Sequence, residues 1–177
     1  MYVCPFCGLS EFESHDELIT CKKCGKQIRY LPTKELQGEG FTFPFRFVAD
    51  WYDDQCAYIN KLDLLSMDKA VPVYTDTAAL SEVILYKNKK PMLDAVQIEL
   101  YPDRMTLKQN GETVMEFPFA QTGTVAVLGR NKLNVYFGEK VYQFKGGKRF
   151  NALKYVNFYH RYKNLTEGDG SDEFLGL

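Results

Sequence analysis

Four of the five cysteines stand in two Cys-x-x-Cys pairs, Cys4/Cys7 and Cys21/Cys24, with thirteen residues between the pairs. That spacing constrains the fold of the chain more than any other feature. Each pair is followed by a glycine, Gly8 and Gly25. A residue without Cβ can take a positive φ there, so that a tight turn points backbone amides at sulfur. Two such knuckles facing each other present four thiolates in a tetrahedron, a ligand set that suits Zn²⁺ and, less often, a single iron. With every coordination position filled by protein, no place is left for water or substrate. The expected cofactor is therefore structural Zn²⁺ on Cys4, Cys7, Cys21 and Cys24, with iron open as a substitute metal. Cys56 stands alone and reads as a small packed hydrophobe.

The residues around the knuckles suit a β-ribbon: Leu18, Ile19 and Thr20 lead into Cys21, and Gln27 to Leu31 leave Cys24 as a strand. Over residues 2 to 31 the sequence resembles the zinc-ribbon family. A segment of about 30 residues cannot bury enough apolar surface to fold alone, so metal binding has to supply its folding free energy. Two other families carry similar boxes. Cys4-Pro-Phe-Cys7 resembles the active-site box of glutaredoxins, but only three residues precede it, where that box follows a strand and opens a helix. Rubredoxins hold iron on similar knuckles, with their pairs farther apart.

Charge argues against a general nucleic-acid binder. The chain carries 22 Lys+Arg against 23 Asp+Glu, so it has no global basic field. Residues 1 to 40 hold five basic side chains (Lys22, Lys23, Lys26, Arg29, Lys34) against six acidic ones (Glu11, Glu13, Asp16, Glu17, Glu35, Glu39). That balance points to a protein-facing or spacer role for the ribbon. The longest conspicuous uncharged stretch, Phe117 to Gly129, is short of the roughly 18 residues a membrane span needs. The start lacks the basic flank and apolar run of a secretory signal, so a cytoplasmic setting is expected. Whether the chain is full length or part of a larger enzyme stays open.

Beyond the ribbon, Gly38-Glu-Gly-Phe-Thr-Phe-Pro-Phe-Arg-Phe47 is a glycine and aromatic connector in which Pro44 blocks early helix formation. Phe47, Trp51, Tyr58, Ile59, Leu62 and Leu65 then recur at helical spacing, predicting an amphipathic helix over about 46 to 66. Trp51, the only tryptophan, reads as core on that stripe. From about residue 70 the pattern turns to short strands: 81–87, 93–101, 104–108, 113–119, 124–128, 133–137 and 141–144. Asn88-Lys-Lys-Pro91 reads as the first turn and Asn110-Gly111 as a hairpin turn. Lys148 to Asn164 closes the series as a helix, with Phe150, Leu153, Val156 and Tyr159 near one face and Lys154, Arg161 and Lys163 largely away from it.

Seven antiparallel strands followed by one amphipathic helix is the element order of pleckstrin-homology domains, and residues 80 to 165 resemble that family in order alone. The expected class is α+β: a small zinc ribbon (1–36), a linker with an amphipathic helix (37–69), a mostly antiparallel seven-stranded pleckstrin-homology-like barrel with a C-terminal helix (70–166), and an acidic flexible tail (167–177). In that family the resemblance implies phosphate binding by basic residues on the first loop and second strand. Lys87, Lys89 and Lys90 fall in the first loop, whereas the second strand carries Asp94 and Glu99. Between Lys140 and Thr166 lie seven basic residues (Lys140, Lys145, Lys148, Arg149, Lys154, Arg161, Lys163) and no acidic one. Lys87, Lys89, Lys90, Lys148, Arg149 and Lys154 are thus the candidate lipid contacts. The alternative for the second run is a solvated helix face partly neutralised by the tail, in which Phe174 to Leu177 reads as a short apolar anchor.

Catalysis has little support. His15 and His160 are the only histidines, and neither sits in a nucleophile constellation. Gly146-Gly147-Lys148 lacks the spacing of a phosphate loop. Three runs, Cys21-Lys-Lys-Cys-Gly-Lys-Gln-Ile-Arg-Tyr30, Phe45-Arg-Phe-Val-Ala-Asp-Trp-Tyr52 and Arg149-Phe-Asn-Ala-Leu-Lys-Tyr-Val-Asn-Phe-Tyr159, resemble the C-terminal extension of bacterial 1-acylglycerol-3-phosphate acyltransferase-like proteins. The His-x4-Asp motif of that enzyme family has no counterpart, since the chain reads Thr20 and Leu165 at the matching distance from its histidines. The resemblance implies an accessory region that targets or regulates a phospholipid-synthesis acyltransferase at an anionic membrane surface, peripheral to it. A protein-interaction scaffold with no lipid role is the alternative, and redox chemistry at Cys4 and Cys7 a third.

Overall fold

The structure, a computed structural model, describes residues 1–85 and 88–168. Lys87 and the tail from 169 onward lie outside the described residues. The chain divides into two compact units, Met1–Leu62 and a second that starts at Asp63.

In the first unit β1 (Val3–Cys4) and β2 (Gly8–Leu9) form a two-stranded ladder. The strands β3 (Phe12–His15), β4 (Leu18–Cys21), β5 (Gln27–Tyr30) and β6 (Leu36–Gly38) form a four-stranded antiparallel sheet in chain order. The helix α1 (Val48–Lys61) follows. It is shorter at both ends than periodicity predicts. Phe47 is extended, with its N–H donating to the Asp50 carboxylate at 3.0 Å, which sets the start as a capping interaction. At the other end Leu62 is extended, and the Asp63 side chain accepts the Leu65 N–H at 3.2 Å. An aspartate that bonds its own downstream backbone competes with helix propagation, which leaves Leu65 outside the helix.

The core of this unit gathers Ile28, Leu36 and Trp51, with Phe12, Ile19, Phe41, Phe43 and Phe45 packed against them. Trp51 is fully buried and meets the Phe12 and Phe43 rings edge-on at 5.2 and 5.1 Å. The glycine and aromatic connector is therefore a supplier of core rings: Phe41, Phe43 and Phe45 pack against this cluster.

The second unit is a curled antiparallel sheet of seven strands: β7 (Tyr74–Leu85), β8 (Asn88–Leu100), β9 (Arg104–Gln109), β10 (Glu112–Pro118), β11 (Thr122–Val127), β12 (Lys132–Phe137) and β13 (Lys140–Gly146). Their order is β10-β9-β8-β7-β13-β12-β11, and α2 (Leu153–Glu167) closes the chain. The apolar alternation of β8, β9, β12 and β13 puts Ile98, Leu107, Leu133, Val135 and Phe144 inside, all fully buried. At Asn110-Gly111 both residues take positive φ, 53° and 84°, the geometry a two-residue hairpin turn requires.

Two boundaries differ from expectation. β7 begins seven residues before Ser81, because Thr75 to Ala78 pair with β8 from Glu99 to Val96; their small or polar side chains carry little hydrophobic signal. Asn88 to Pro91 does not turn the chain but pairs within the β7–β8 ladder, Lys89 opposite Val83 and Pro91 opposite Ser81. The register shifts between Leu80 and Ser81, the partner of Pro91, and such irregularities are where a strand tolerates proline.

Candidate metal centre

The ribbon brings Cys4, Cys7, Cys21 and Cys24 together, with the four Sγ atoms all within 4.8 Å of one another. Cys4 Sγ lies 3.7 Å from Cys24 Sγ, and Cys7 Sγ lies 3.6 Å from Cys21 Sγ. A tetrahedron with metal–sulfur bonds of ~2.3 Å has edges of ~3.8 Å, and these two separations match it. Gly8 and Gly25 both take positive φ, 79° and 72°, as each knuckle requires. At Gly8 there is a second constraint: a Cβ would come within 2.5 Å of Tyr58 Oη.

The two knuckles are built alike. The first cysteine of each pair is buried, Cys4 at 1% and Cys21 at 0% exposure, and receives backbone amides: Phe6 and Cys7 bond to Cys4, Lys23 and Cys24 to Cys21. Cys7 is half-buried and Cys24 exposed. Burial raises the Cys4 thiol against the pull of those amides. At Cys21 burial also pushes upward, but the Ser10 hydroxyl, 3.1 Å away, and the amides of Cys24 and Lys23 outweigh it and bring the thiol down to about 6. Burial and its neighbouring thiols push Cys7 up. Amides and a hydroxyl aimed at sulfur stabilise thiolate, the form that binds metal.

Two residues of α1 complete the support, and the ribbon motif does not reveal them. Gln55 is fully buried, and its Oε1 accepts the N–H groups of Tyr2 (2.7 Å) and Val3 (3.0 Å). Trp51 Nε1 donates to the Val3 carbonyl at 2.9 Å. The backbone leading into Cys4 is thus held from both sides by one helix face. The available signal was a glutamine four residues from Trp51 and four from Ile59, on the apolar stripe itself. His15, at the exposed end of β3, is not part of the sulfur cluster.

The candidate lipid contacts do not converge. Lys148 and Arg149 are exposed, in the turn before α2 and not on the helix. Lys89 and Lys90 belong to β8; Lys89 donates to Gln143 Oε1, and Lys90 stands opposite Glu82. Lys154, expected on a solvated face, is 5% exposed, its Nζ 2.6 Å from the Asp76 carboxylate and 4.7 Å from the centre of the Tyr74 ring. A lysine stem packs as readily as an apolar chain when its head group is paired, which is why polarity alone misplaced it. Arg161 is likewise buried. His160 is half-buried, and loss of solvent lowers its pKa.

No family model and no curated protein matches this sequence. Among solved structures, the second unit is similar to the N-terminal PH domain of human ARAP2, at TM-score 0.41 and 16% identity, over 58% of this chain and 90% of that one. Among the described residues no helix is long and apolar enough to cross a membrane.

Proposed function

We propose that the chain is a non-catalytic binding module in which Cys4, Cys7, Cys21 and Cys24 hold a structural Zn²⁺ and the seven-stranded unit docks on a partner. The observation that carries this is the four-sulfur cluster at tetrahedral spacing, with its first cysteines buried and amide-bonded. A closed thiolate shell supplies folding free energy and no open coordination position. The test is metal content of the purified chain. One equivalent of zinc is expected, released by chelation together with four reactive thiols. Cys21→Ser is expected to lose the metal and unfold the first unit while the second keeps its own thermal transition. More than one thiol reacting freely while the metal stays bound would overturn the proposal, since Cys56 alone lies outside the cluster.

In its finer form the docking partner is an anionic membrane surface, and the chain positions a phospholipid acyltransferase there. Support for the first half is the exposed cations of the second unit; the second half follows from the resemblance of three short runs. Co-sedimentation with neutral and anionic vesicles tests the membrane part. Absence of binding to both leaves the protein-interaction scaffold in its place.

A further inference from the structure

Strand alternation divides the turns of the second unit between two ends. Because Val83 pairs with Val141 and Lys89, the β7–β8 tip and the β12–β13 turn at Gly138-Glu139 share one end. Because Gly146 pairs with Ala78 and Lys145 with Lys132, the β11–β12 turn (128–131) and the β13–α2 turn (147–152) share the other. Hydrogen bonds join these last two: Asn131 Nδ2 donates to the Gly146 carbonyl at 2.6 Å, and the Gly146 N–H to the Asn131 carbonyl at 3.0 Å.

Five cations collect at this second end. Arg130, Lys145, Lys148 and Arg149 are exposed, and Lys132 is half-buried. Lys132 and Lys145 are direct cross-strand partners, an arrangement that repels. Among the described residues no carboxylate pairs with Arg130, Lys132, Lys145 or Lys148. Between Gly129 and Arg149 the only acidic residue is Glu139, five cross-strand pairs away along the hairpin, about 17 Å at the rise of a strand. Asp76 borders the cleft of about 360 Å³ that Lys148 and Arg149 line. Its charge is already met by Lys154 at 2.6 Å. At the base of the β11–β12 turn, where its N–H donates to the Lys132 carbonyl at 3.0 Å, Leu128 is 48% exposed, while the one phenylalanine here, Phe150, is buried.

We propose that this end, Leu128 with Arg130, Lys132, Lys145, Lys148 and Arg149, is the face that docks on an anionic bilayer. A leucine across the strands from Lys132 and its partner Lys145 suits a lipid headgroup layer, where the apolar side chain enters the interface and the cations meet acidic headgroups. A single-stranded nucleic acid would call instead for exposed rings on which bases stack. The lysines of β8, Lys89 and Lys90, are near the opposite end and do not belong to this face. The inference deepens the membrane reading above and rests on it.

The test is co-sedimentation of the zinc-loaded full chain with phosphatidylcholine vesicles and with vesicles that also contain phosphatidylserine, at low and physiological salt. Binding is expected only with phosphatidylserine, weakening as salt rises. Each neutralised cation is expected to weaken it about fivefold, so Lys132→Gln/Lys145→Gln/Lys148→Gln loses about a hundredfold. Leu128→Ser is expected to weaken binding while leaving the salt dependence in place. Removing the Lys132/Lys145 repulsion is expected to leave the melting temperature unchanged or raised, and the melting curve of the triple variant separates lost binding from unfolding. Binding that survives the triple change but is lost in Lys89→Gln/Lys90→Gln would overturn this face and keep the membrane reading. No binding by the unaltered chain would overturn both. Salt-sensitive capture of RNA in place of vesicles would do the same.

Discussion

Gln55→Leu separates support of the metal site by α1 from mere packing on it. In the native unit one side-chain oxygen takes two buried backbone N–H groups, Tyr2 at 2.7 Å and Val3 at 3.0 Å. Leucine has nearly the same volume and no acceptor, so both donors lose their partner without a cavity forming. An unsatisfied buried donor costs about 1–3 kcal/mol, and the added apolar burial returns roughly 1–2 kcal/mol. For two donors, less the apolar return, the net expectation is a loss of about 1–4 kcal/mol. Where the metal-free ribbon is unfolded, that loss subtracts directly from metal binding and weakens zinc by roughly 5- to 1,000-fold. Trp51 is the only tryptophan and lies in the first unit, so its fluorescence during urea unfolding reports that unit alone. Competition with a chromogenic chelator gives the zinc affinity. Gln37, exposed on β6, supplies the control: Gln37→Leu is expected to stay within about 0.5 kcal/mol. A Gln55→Leu chain with unchanged urea midpoint and zinc affinity would refute the claim that α1 holds the entry to Cys4.

Two further expectations concern the second unit. Lys154→Ala leaves Asp76 with Tyr155 as its remaining partner; breaking such a pair costs about 3 kcal/mol, the low end for buried pairs because the Asp76 side chain keeps 18% exposure. Adding Asp76→Asn to Lys154→Met is expected to restore most of the thermal stability, and a double variant no better than Lys154→Ala would refute the pairing argument. At Glu99 burial opposes the charge, but Tyr101, Lys108 and Gln97 outweigh it and hold the carboxyl below its ordinary value. A carboxyl lowered on folding contributes stability above its unfolded pKa and loses it as pH falls through the folded one. Melting curves of Glu99→Gln are therefore expected to show a flatter acid limb than the native chain, and parallel limbs would exclude the assignment.

Much of this structure could be read from the chain because local chemistry dictated it. Cys-x-x-Cys-Gly knuckles close only one way, and alternation with Asn110-Gly111 fixes the β9–β10 hairpin whatever surrounds it. What escaped was set by partners remote in sequence. Tyr74 to Leu80 is a strand because β8 and β13 flank it, and its threonines and alanines announce nothing by themselves. Gln55 is a supporting residue because residues 52 and 53 positions upstream turn their amides to it. Lys154 is internal because Asp76 waits 78 positions earlier to neutralise it. In each case a polar or small side chain acquired its place from a pairing that periodicity does not encode.

The same contrast gives a physical reason for the zinc proposed in the first unit. A unit of 62 residues buries only about 60% of the surface its unfolded chain exposes. Here several of its largest apolar groups keep contact with water: Phe6 at 43% and Phe47 at 40% exposure. Zinc-thiolate coordination supplies on the order of 10 kcal/mol to folding, several times what one buried side chain contributes. Its effect depends on Cys4 being in place, and Cys4 follows the two residues whose backbone Gln55 and Trp51 fix. With zinc bound as proposed, helix and metal support one short strand while the aromatic connector packs on Trp51, so loss of the metal is expected to release Trp51 to solvent along with the cysteines.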